Sequence, residues 1–312
     1  MEPVLDVVIV TYNRISKLKK CLSLYMTQTA VFRNLIVVNN CSSDGTTDFL
    51  ESYKQGCPNK ERLIIVNLEE NMGGSGGFYY GQKTALENGA DWVLLADDDA
   101  YPDKDLVNNF YRIVGNLDES VVAVCTTVKN IDGSIDVSHR RRQKSKCGQI
   151  VRTNIPVDEY KYSSFDVDLL SYVGAFIKIS AMKSVGLVNK DFFIYEDDGE
   201  HSLRLRKIGK IVCYPDLFYI HDSGQTNDIN NKQFISTWRD YYALRNYLYV
   251  SIHYKFSNAL VITLKYMVKF LFWGGNRDDK KMRQRAVSDA WFNRLGRHPL
   301  YKPGWSVLND KQ

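Results

Sequence analysis

Short apolar runs alternate with amphipathic stretches along the first hundred residues of the chain. Four runs have the length of strands buried on both faces of a parallel sheet, and they cover residues 4–10, 35–38, 63–67 and 92–96. Between them, apolar side chains recur at helical spacing, for example at Leu18, Cys21, Leu22 and Tyr25, behind the candidate N-cap Ser16. Strands that alternate with helices predict an α/β fold with a mostly parallel sheet flanked by helices.

The pattern becomes less regular after residue 120. Residues 121–128 and 169–179 predict two more strands, and residues 211–214 predict a short one. The polar stretch 129–168 predicts a long irregular insertion or mobile loop. It contains the basic run HRRRQK at 139–144. A solvated surface is the first interpretation of this run, and contact with an anionic acceptor or a lipid phosphate is the second.

The C-terminal part, residues 233–294, has a helical pattern throughout. Within it, residues 258–273 are apolar except for Lys265 and Lys269, and basic residues flank this segment on both sides. A basic-flanked helix that carries Phe, Leu and Trp can lie in a membrane interface. The alternative is a core-packed helix bundle whose lysines face water. The sequence leaves both hypotheses open.

Composition excludes some classes of protein. The chain of 312 residues is long enough for one large domain, or a domain with an appendage, and its net charge of +5 is spread along the chain. Nucleic-acid binding usually needs a concentrated basic face, so no nucleic-acid partner is expected. Six cysteines without CxxC spacing and no visible signal peptide predict reduced thiols in a cytoplasmic protein. No apolar run reaches the roughly eighteen residues that a membrane-spanning helix needs.

Three carboxylates, Asp97, Asp98 and Asp99, end the fourth apolar run. Adjacent anions repel one another unless a positive group lies among them, and a divalent cation with oxygen ligands is the usual solution. Alternate residues of an extended chain point the same way, so Asp97 and Asp99 should face one side together. His221 ends another apolar segment and is a plausible third ligand. The alternative is a solvated acidic turn before a helix that Pro102 opens.

Two further stretches carry candidate chemistry. Residues 71–78 read NMGGSGGF, in which four glycines could let a ligand approach the backbone at a helix N-terminus. This stretch is neither a Walker motif nor GxGxxG after a first strand, and a flexible turn is the alternative. Residues 196–200, EDDGE, hold four acids in five positions before a helix. An aspartate held there could be a general base, whereas helix capping is the simpler interpretation.

Taken together, these stretches resemble the family-2 inverting glycosyltransferases, which have the GT-A (Rossmann-like) fold. The resemblance covers roughly residues 4–250. It is carried by TYNR at 11–14, the turn at Asn40 and Asp44–Thr46, the three carboxylates at 97–99 and the acidic cluster. The glycine-rich stretch, FIYEDDGE at 193–200, His221 and YALRN at 242–246 are most similar to the bacterial galactofuranosyltransferases. Glu196 stands where that family typically has tryptophan.

The resemblance implies a role for each matching residue. Thr11, Arg14, Asn40 and Asp44 would hold the uridine or the first phosphate, and Asn71, Gly73 and Gly74 would line the donor pocket, with Asp97 and Asp98 at its edge. Asp97, Asp99 and His221 would bind Mn²⁺ or Mg²⁺. Asp198 would be the general base, and Asp197 and Glu200 would orient the acceptor.

The resemblance also implies an activity and an organisation. A catalytic domain would span residues 1–232, and a helical region that could associate with membrane would span 233–312. The expected reaction moves galactofuranose from its UDP donor to a lipid-linked cell-surface glycan at the inner face of the bacterial membrane. Alternatives are a rhamnosyl- or other hexosyltransferase, a nucleotide-sugar-binding module without turnover, and a metal-dependent phosphohydrolase. The acceptor and the oligomeric state stay open.

Overall fold

Strands and helices alternate through the first third of the chain, and helices dominate its end. The computed structural model describes residues 2–224 and 235–307. Its strands are β1 Leu5–Thr11, β2 Asn34–Asn39, β3 Leu63–Asn67, β4 Trp92–Asp97, β5 Ala100–Pro102, β6 Val121–Lys129, β7 Arg140–Lys146, β8 Gln149–Asn154, β9 Phe165–Val167, β10 Leu169–Leu170, β11 Ala175–Lys178 and β12 Lys210–His221. Its α-helices are α1 Ile15–Met26, α2 Thr46–Gly56, α3 Gly73–Glu87, α4 Leu106–Val114, α5 Ile179–Val185, α6 Asp197–Leu205, α7 Trp238–Tyr254, α8 Phe256–Leu271 and α9 Arg277–Trp291.

The central sheet has the strand order β3-β2-β1-β4-β11-β6-β12-β5, with β9 beside β12. Strands β3, β2, β1 and β4 run parallel, whereas β11 is antiparallel to both of its neighbours. Along β1, Val7 and Ile9 pack into the core on one side of the sheet, and Val8 and Val10 pack into the core on the other. Burial on both faces explains the continuous apolar runs. The predicted α/β fold with a mostly parallel sheet flanked by helices is confirmed.

The first four predicted strands are confirmed to within one residue at each end, but the prediction for residues 129–168 is wrong. This stretch forms the hairpin β7–β8, which pairs with β10 in a separate three-stranded sheet. The hairpin turns at Cys147 and Gly148, whose φ values of 48° and 77° are those that tight two-residue turns require. Neither strand alternates apolar with polar residues, so the hydrophobic pattern gave no signal.

The prediction of a single strand over residues 169–179 is also wrong. β10 belongs to the small sheet and β11 to the central one, and Ile179 begins α5. The chain passes between the two sheets at Gly174, which has φ +72°. A Cβ at this position would lie 2.3 Å from Thr126 Oγ1, so only glycine fits.

Several element boundaries differ from the sequence prediction. Pro102 ends strand β5, which pairs with the end of β12, and the next helix begins at Leu106. Helix α1 begins at Ile15, so Ser16 lies inside the helix rather than at its N-cap. Residues 211–214 and 218–221 belong to one strand, β12, with a shift in pairing between Cys213 and Phe218.

The C-terminal helices pack against the sheet-containing part of the chain. Phe193, Tyr241, Tyr242, Met282 and Ala286 share one apolar cluster, which joins α7 and α9 to the segment before α6. The predicted boundary at 232/233, together with the first two residues of the predicted helical region, lies outside the described residues. Across residues 2–224 and 235–307, the helices are too short or too polar to span a bilayer.

Candidate active site

A cavity of about 910 Å³ opens where β1, β2 and β4 end. Ligands of open α/β sheets bind at this edge of the sheet. The opposite wall comes from the segment 193–198 and from α7. The predicted site residues that line the cavity are Thr11, Arg14, Asn40, Asn71, Gly73, Gly74, Asp97, Asp197, Asp198 and His221. Asp44, Asp98, Asp99 and Glu200 do not belong to this lining.

Asp98 points away from the cavity and anchors the loop after β1. Its Oδ2 accepts a 2.6 Å hydrogen bond from Thr11 Oγ1, and its Oδ1 lies 2.9 Å from Arg14 Nη2. Arg14 also contacts Asp99 through Nη1. Because Asp98 is fully buried, these partners compensate a charge that would otherwise be costly. Asp98 therefore holds Thr11 and Arg14 in place rather than facing a ligand directly.

The predicted metal ligands Asp97, Asp99 and His221 are near enough for the charges of Asp99 and His221 both to act on Asp97. Asp99 Oδ1 lies 3.5 Å from His221 Nε2. It is buried, and no hydrogen bond to it is found among the described residues. Among the described residues, the Asp97 side chain has neither a hydrogen bond nor an ion pair, and it lines the cavity. Carboxylate and imidazole ligands are of the kind that Mg²⁺ or Mn²⁺ takes, but across the described residues Asp97, Asp99 and His221 do not bring one ligand atom each within 4.8 Å of the others.

The ionisation of these two carboxyl groups differs. Burial, reinforced by the charge of Asp99, raises the pKa of Asp97 to about 6. Burial also opposes ionisation of Asp99, but the close contact with His221 and the charge of Arg14 outweigh it and hold the pKa of Asp99 below its usual value. A bound cation would favour the ionised form of Asp97 and lower its pKa.

His221 is held from its other side by a second histidine. The His139 ring packs edge-on against it, with centroids 5.2 Å apart. His139 is itself fixed by Ser171 Oγ at 2.8 Å and by Asp136 at 3.3 Å. Asp136, His139 and His221 could also hold a cation, since one ligand atom from each lies within 4.8 Å of the others. The sequence analysis did not single out Asp136 or His139 individually.

The glycine-rich stretch is mostly the first turns of α3, and not a loop. The helix begins at Gly73, within the stretch, rather than after it. A Cβ on Gly73 would lie 1.9 Å from Phe193 O, and one on Gly77 would lie 2.4 Å from Val10 Cγ1. These glycines allow α3 to pack closely on the segment 193–196 and on β1. Gly74 alone of the three has open space before it, and it lines the cavity.

The polar residues around the start of α3 form hydrogen bonds with the backbone that lines the cavity. Asn40 donates from Nδ2 to Gly73 O at 2.9 Å and accepts from Met72 N at 2.9 Å. Asn71 Oδ1 accepts from Gly73 N at 2.8 Å. Asp44 lies apart from the cavity and accepts hydrogen bonds from Ile15 N and from Thr46 at the starts of α1 and α2. Its position fits a clamp between two loops better than a ligand contact.

The segment before α6 is strained, and two buried residues hold it. Phe193, Tyr195 and Glu196 all have φ near +66°, at 67°, 66° and 65°. Such conformations cost about 1–3 kcal/mol each for residues other than glycine, and they persist only where the surroundings fix them. Asn246 Nδ2 lies 2.8–3.0 Å from the carbonyl oxygens of residues 192, 194 and 195. Arg245 Nη2 donates to the carbonyl of residue 192 at 2.9 Å.

The role of Asn246 was missed, although the sequence analysis quoted it within YALRN. Its side chain is fully buried on α7, more than forty residues after the segment that it holds. A buried asparagine in a helix rich in aromatic residues indicates a structural hydrogen-bonding role. It does not indicate which backbone it binds.

The three predicted site residues of the acidic cluster, Asp197, Asp198 and Glu200, lie in different surroundings. Asp197 and Asp198 line the cavity, and burial together with the charge of Asp198 raises the pKa of Asp197 to about 8. Burial also raises the pKa of Asp198, but the nearby Arg141 opposes that shift. Glu200 instead binds Arg204 at 2.9 Å and Tyr254 at 2.5 Å, away from the cavity. It ties α6 to α7.

The basic run at 139–144 is not a uniformly solvated surface. Arg140 is fully buried and donates to the carbonyls of Thr126 and Val173 at 2.9 and 2.7 Å. The Nη1 and Nη2 atoms of Arg142 donate to the two carboxylate oxygens of Glu159, each at 2.5 Å. Arg141 points into the cavity, and among the described residues its buried Nε has no hydrogen-bond partner. Arg141 is a site residue that the sequence analysis did not identify.

Known proteins resemble this chain in sequence and in fold. The sequence matches the family model described as Glycosyl transferase family 2 over residues 6–174. It is similar to galactofuranosyltransferase GlfT1 of Mycobacterium tuberculosis strain H37Rv, with 30% identity over 236 residues that cover 70% of this chain and 69% of that protein.

Solved structures resemble the chain in fold. S. aureus TarS 1–349 in complex with UDP-GlcNAc has a TM-score of 0.59 and 16% identity, over 92% of this chain and 80% of that one. GalNAc-T7 with UDP, GalNAc and Mn²⁺ has a TM-score of 0.62 and 13% identity, over 93% of this chain and 56% of that one. These neighbours have the GT-A fold, which confirms the fold predicted from the sequence.

Proposed function

The chain belongs to glycosyltransferase family 2, and from that premise we propose that it transfers galactofuranose from UDP-galactofuranose to a hydroxyl group of a lipid-linked cell-surface glycan, with inversion of the anomeric carbon. One observation carries the proposal. A single cavity holds an unpaired carboxylate, Asp97, at the end of a parallel strand and two adjacent carboxyl groups, Asp197 and Asp198, on the facing wall. The first suits a cation and a nucleotide diphosphate, and the second suits an acceptor hydroxyl.

The residues on the two walls have complementary tasks in this reaction. Asp198 accepts the proton of the acceptor hydroxyl while the oxygen attacks the anomeric carbon from the face opposite the departing UDP. Asp97, Asp99 and His221 would hold Mn²⁺ or Mg²⁺, which stabilises negative charge on the departing diphosphate when it is bound. Asn40 and Asn71 fix the start of α3, which forms the donor side of the cavity. One displacement forms the new glycosidic bond, breaks the bond to UDP and inverts the carbon.

A panel of nucleotide sugars tests the proposed donor. The protein should release UDP from UDP-galactofuranose in the presence of an acceptor glycan and should act poorly on UDP-galactopyranose, UDP-N-acetylglucosamine and dTDP-rhamnose. Release of nucleotide only from another donor would be compatible with the family and the fold but would assign a different donor sugar. Phosphate release without a glycan product would favour a phosphohydrolase, and UDP binding without any release would favour a binding module.

Arg141 is expected to keep Asp198 ionised. Burial raises the pKa of Asp198, and the guanidinium of Arg141 opposes it. Replacing Arg141 with methionine removes the opposing charge, so the pKa of Asp198 rises further. Because the base must be deprotonated, the acid limb of the kcat/KM profile should move to higher pH. The measurement is a pH–rate profile of the two proteins.

Arg142→Met is the matched control for this prediction. Arg142 is the next residue of β7, and it pairs with Glu159 outside the cavity. Its removal changes the net charge equally but should leave the acid limb in place. Equal displacement of both profiles would show a general effect of charge and would contradict the assignment.

We also propose that α8 lies on a membrane surface. Exposed apolar side chains recur every three or four residues along one side of the helix, and they are Phe256, Leu260, Leu264, Met267 and Leu271. The opposite side packs into the protein through Ala259 and Ile262. The helix therefore has features of both hypotheses drawn from the sequence. One side packs into the core, as in a helix bundle, and the other exposes an apolar stripe, as in a membrane-interface helix. Such a stripe with basic residues beside it is typical of interfacial helices.

Substitutions in this stripe should weaken membrane binding without unfolding the protein. Leu264 and Leu271 are 63% and 78% exposed. Changing both to serine should lower affinity for phosphatidylglycerol-containing vesicles roughly tenfold or more, since each buried leucine contributes on the order of 1–2 kcal/mol. Vesicle sedimentation gives the affinity, and a thermal melt shows whether the fold is intact.

Val31→Ser is the control, since Val31 is 71% exposed and lies outside α8, between α1 and β2. Deleting the chain after residue 256 is a poorer test, because it removes Met282 and Ala286 from the core. Unchanged vesicle binding by the double variant would refute the membrane proposal.

A further inference from the structure

Asp136, His139 and His221 form a compact group of metal-binding side chains beside the cavity. One ligand atom from each lies within 4.8 Å of the others, and no other group of three or more such residues does so in the part of the chain that the structure describes. His139 and His221 line the cavity, and the Asp136 side chain is 30% exposed. A cation from solution can therefore reach all three residues.

Hydrogen bonds hold Asp136 and His139 in place from behind. The two residues are three apart around a short 3₁₀ helix, Val137–His139, and such a turn puts positions i and i+3 on the same side. Asp136 Oδ1 accepts from Ser138 N at 3.0 Å, which leaves Oδ2 to face His139. His139 Nδ1 is hydrogen-bonded with Ser171 Oγ at 2.8 Å, which leaves Nε2 to face Asp136. Supporting contacts of this kind orient the ligands of metal sites.

The spacing and the chemistry of these donors fit Zn²⁺. Asp136 Oδ2 lies 3.3 Å from His139 Nε2, which is longer than the roughly 2.7–2.9 Å of a charge-assisted hydrogen bond. Two ligands at about 2.0–2.1 Å from a tetrahedral zinc ion lie about 3.3–3.4 Å from each other. A modest rotation of the His221 ring completes the set. Two imidazoles and a carboxylate suit zinc with its fourth position open, whereas Mg²⁺ and Mn²⁺ take mainly oxygen ligands.

We propose that Asp136, His139 and His221 form a Zn²⁺ site and that zinc bound there inhibits sugar transfer. His221 is also a predicted ligand of the Mn²⁺ or Mg²⁺ ion at the departing diphosphate. Its ring cannot turn toward both ions, so zinc withdraws it from the ion that the reaction uses. The inhibitory role rests on the proposed function, whereas the zinc site rests on the contacts of these three residues alone.

Asp136→Asn tests the site through metal binding alone. Asparagine keeps the size of the side chain and can still accept from Ser138 N, but it offers zinc no negative charge. Cobalt(II) is titrated first, because its visible spectrum distinguishes nitrogen and oxygen ligands from the thiolates of exposed cysteines, and Zn²⁺ then displaces it. Affinity for both ions should fall by at least about 10–100-fold, which is the usual cost of losing even an outer partner of a metal site.

Asp132→Asn is the matched control. Asp132 lies four residues earlier and makes the same kind of contact, since its Oδ1 accepts from Ser134 N at 2.9 Å. It does not belong to the metal-binding group, so its replacement should leave zinc affinity unchanged. Asp97→Asn is a second comparison, and it should lower the affinity for Mn²⁺ far more than the affinity for Zn²⁺.

Each binding result decides the point. Loss of zinc affinity confined to Asp136→Asn supports the site. Equal loss in Asp132→Asn would mean a general effect of charge, and loss in Asp97→Asn instead would place zinc at the sheet-end carboxylates. Either result overturns the inference, as does absence of cobalt binding through nitrogen and oxygen ligands.

Inhibition is measured separately, from initial rates at fixed Mn²⁺ and increasing Zn²⁺. Asp136→Asn should need at least about tenfold more zinc for half-inhibition than the parent protein. Equal sensitivity of the two proteins would overturn the inhibitory role. Absence of transfer from every donor sugar would defeat the proposed function, but the metal titration would still decide whether the zinc site exists.

Discussion

Replacing Asp198 with asparagine should slow sugar transfer by roughly 10²–10⁴-fold, which is the usual contribution of a positioned general base. Asparagine keeps the size of the side chain and can still accept the 2.6 Å hydrogen bond from Gly199 N. It cannot take the proton of the acceptor hydroxyl. Binding of UDP should be nearly unchanged, because the donor side of the cavity is built by other residues. Initial rates at saturating donor, with UDP binding measured calorimetrically, give the two quantities.

Asp197→Asn is the control for this prediction, since the two acids are adjacent in one cavity. We propose Asp198 as the base. Burial and the charge of Asp198 raise the pKa of Asp197 to about 8, which favours the protonated form of Asp197. The Arg141 guanidinium favours the ionised form of Asp198. A dead Asp197→Asn beside a fully active Asp198→Asn would move the base by one residue. Full activity of both variants would mean that the acidic cluster serves only to cap the helix.

Loss of the cation ligands should have an effect of similar size. Asp97→Asn and removal of divalent ions with EDTA are each expected to abolish most activity, by roughly 10²–10⁴-fold. A metal at a departing diphosphate supplies several kcal/mol of charge stabilisation. Asp97 is the better position to change, since Asp99 also contacts Arg14 and its loss would disturb the loop after β1. Calorimetric Mn²⁺ binding in the presence of UDP should weaken in the variant.

Asp98→Asn separates the metal role from a structural one. Asp98 is buried against Thr11 and Arg14, and it does not line the cavity. Its replacement should lower the melting temperature more than it lowers the affinity for Mn²⁺. Full activity in excess chelator would contradict the metal assignment, whatever the variants do.

Local patterns in the sequence were enough to find the strands that build the donor side of the cavity. Residues 92–96 are apolar because β4 is buried on both faces, and the acids follow at once because the strand ends at the edge of the sheet. The carboxylates at 97–99 could therefore be located from their position after a strand. The hairpin β7–β8 could not, because polar side chains on both of its faces leave no alternation to read.

Side-chain destinations depended on contacts between distant parts of the chain. Three consecutive arginines illustrate this, since Arg140 is buried under β6, Arg141 enters the cavity and Arg142 pairs with Glu159. A run of like residues gives no local signal that would separate them. The strained segment before α6 likewise needs Asn246, from a helix far along the chain.

The sequence by itself determined the family, the α/β fold and the two groups of acids, because burial on both faces and strand ends leave periodic, local traces. Only the tertiary structure decided which glycines pack against protein, which of the acids line the cavity and which arginine faces it. Gly73 is required by the backbone of Phe193, and Glu200 is taken by Arg204 and Tyr254. These outcomes depend on which surfaces meet across the fold, and residue spacing along the chain carries no record of that.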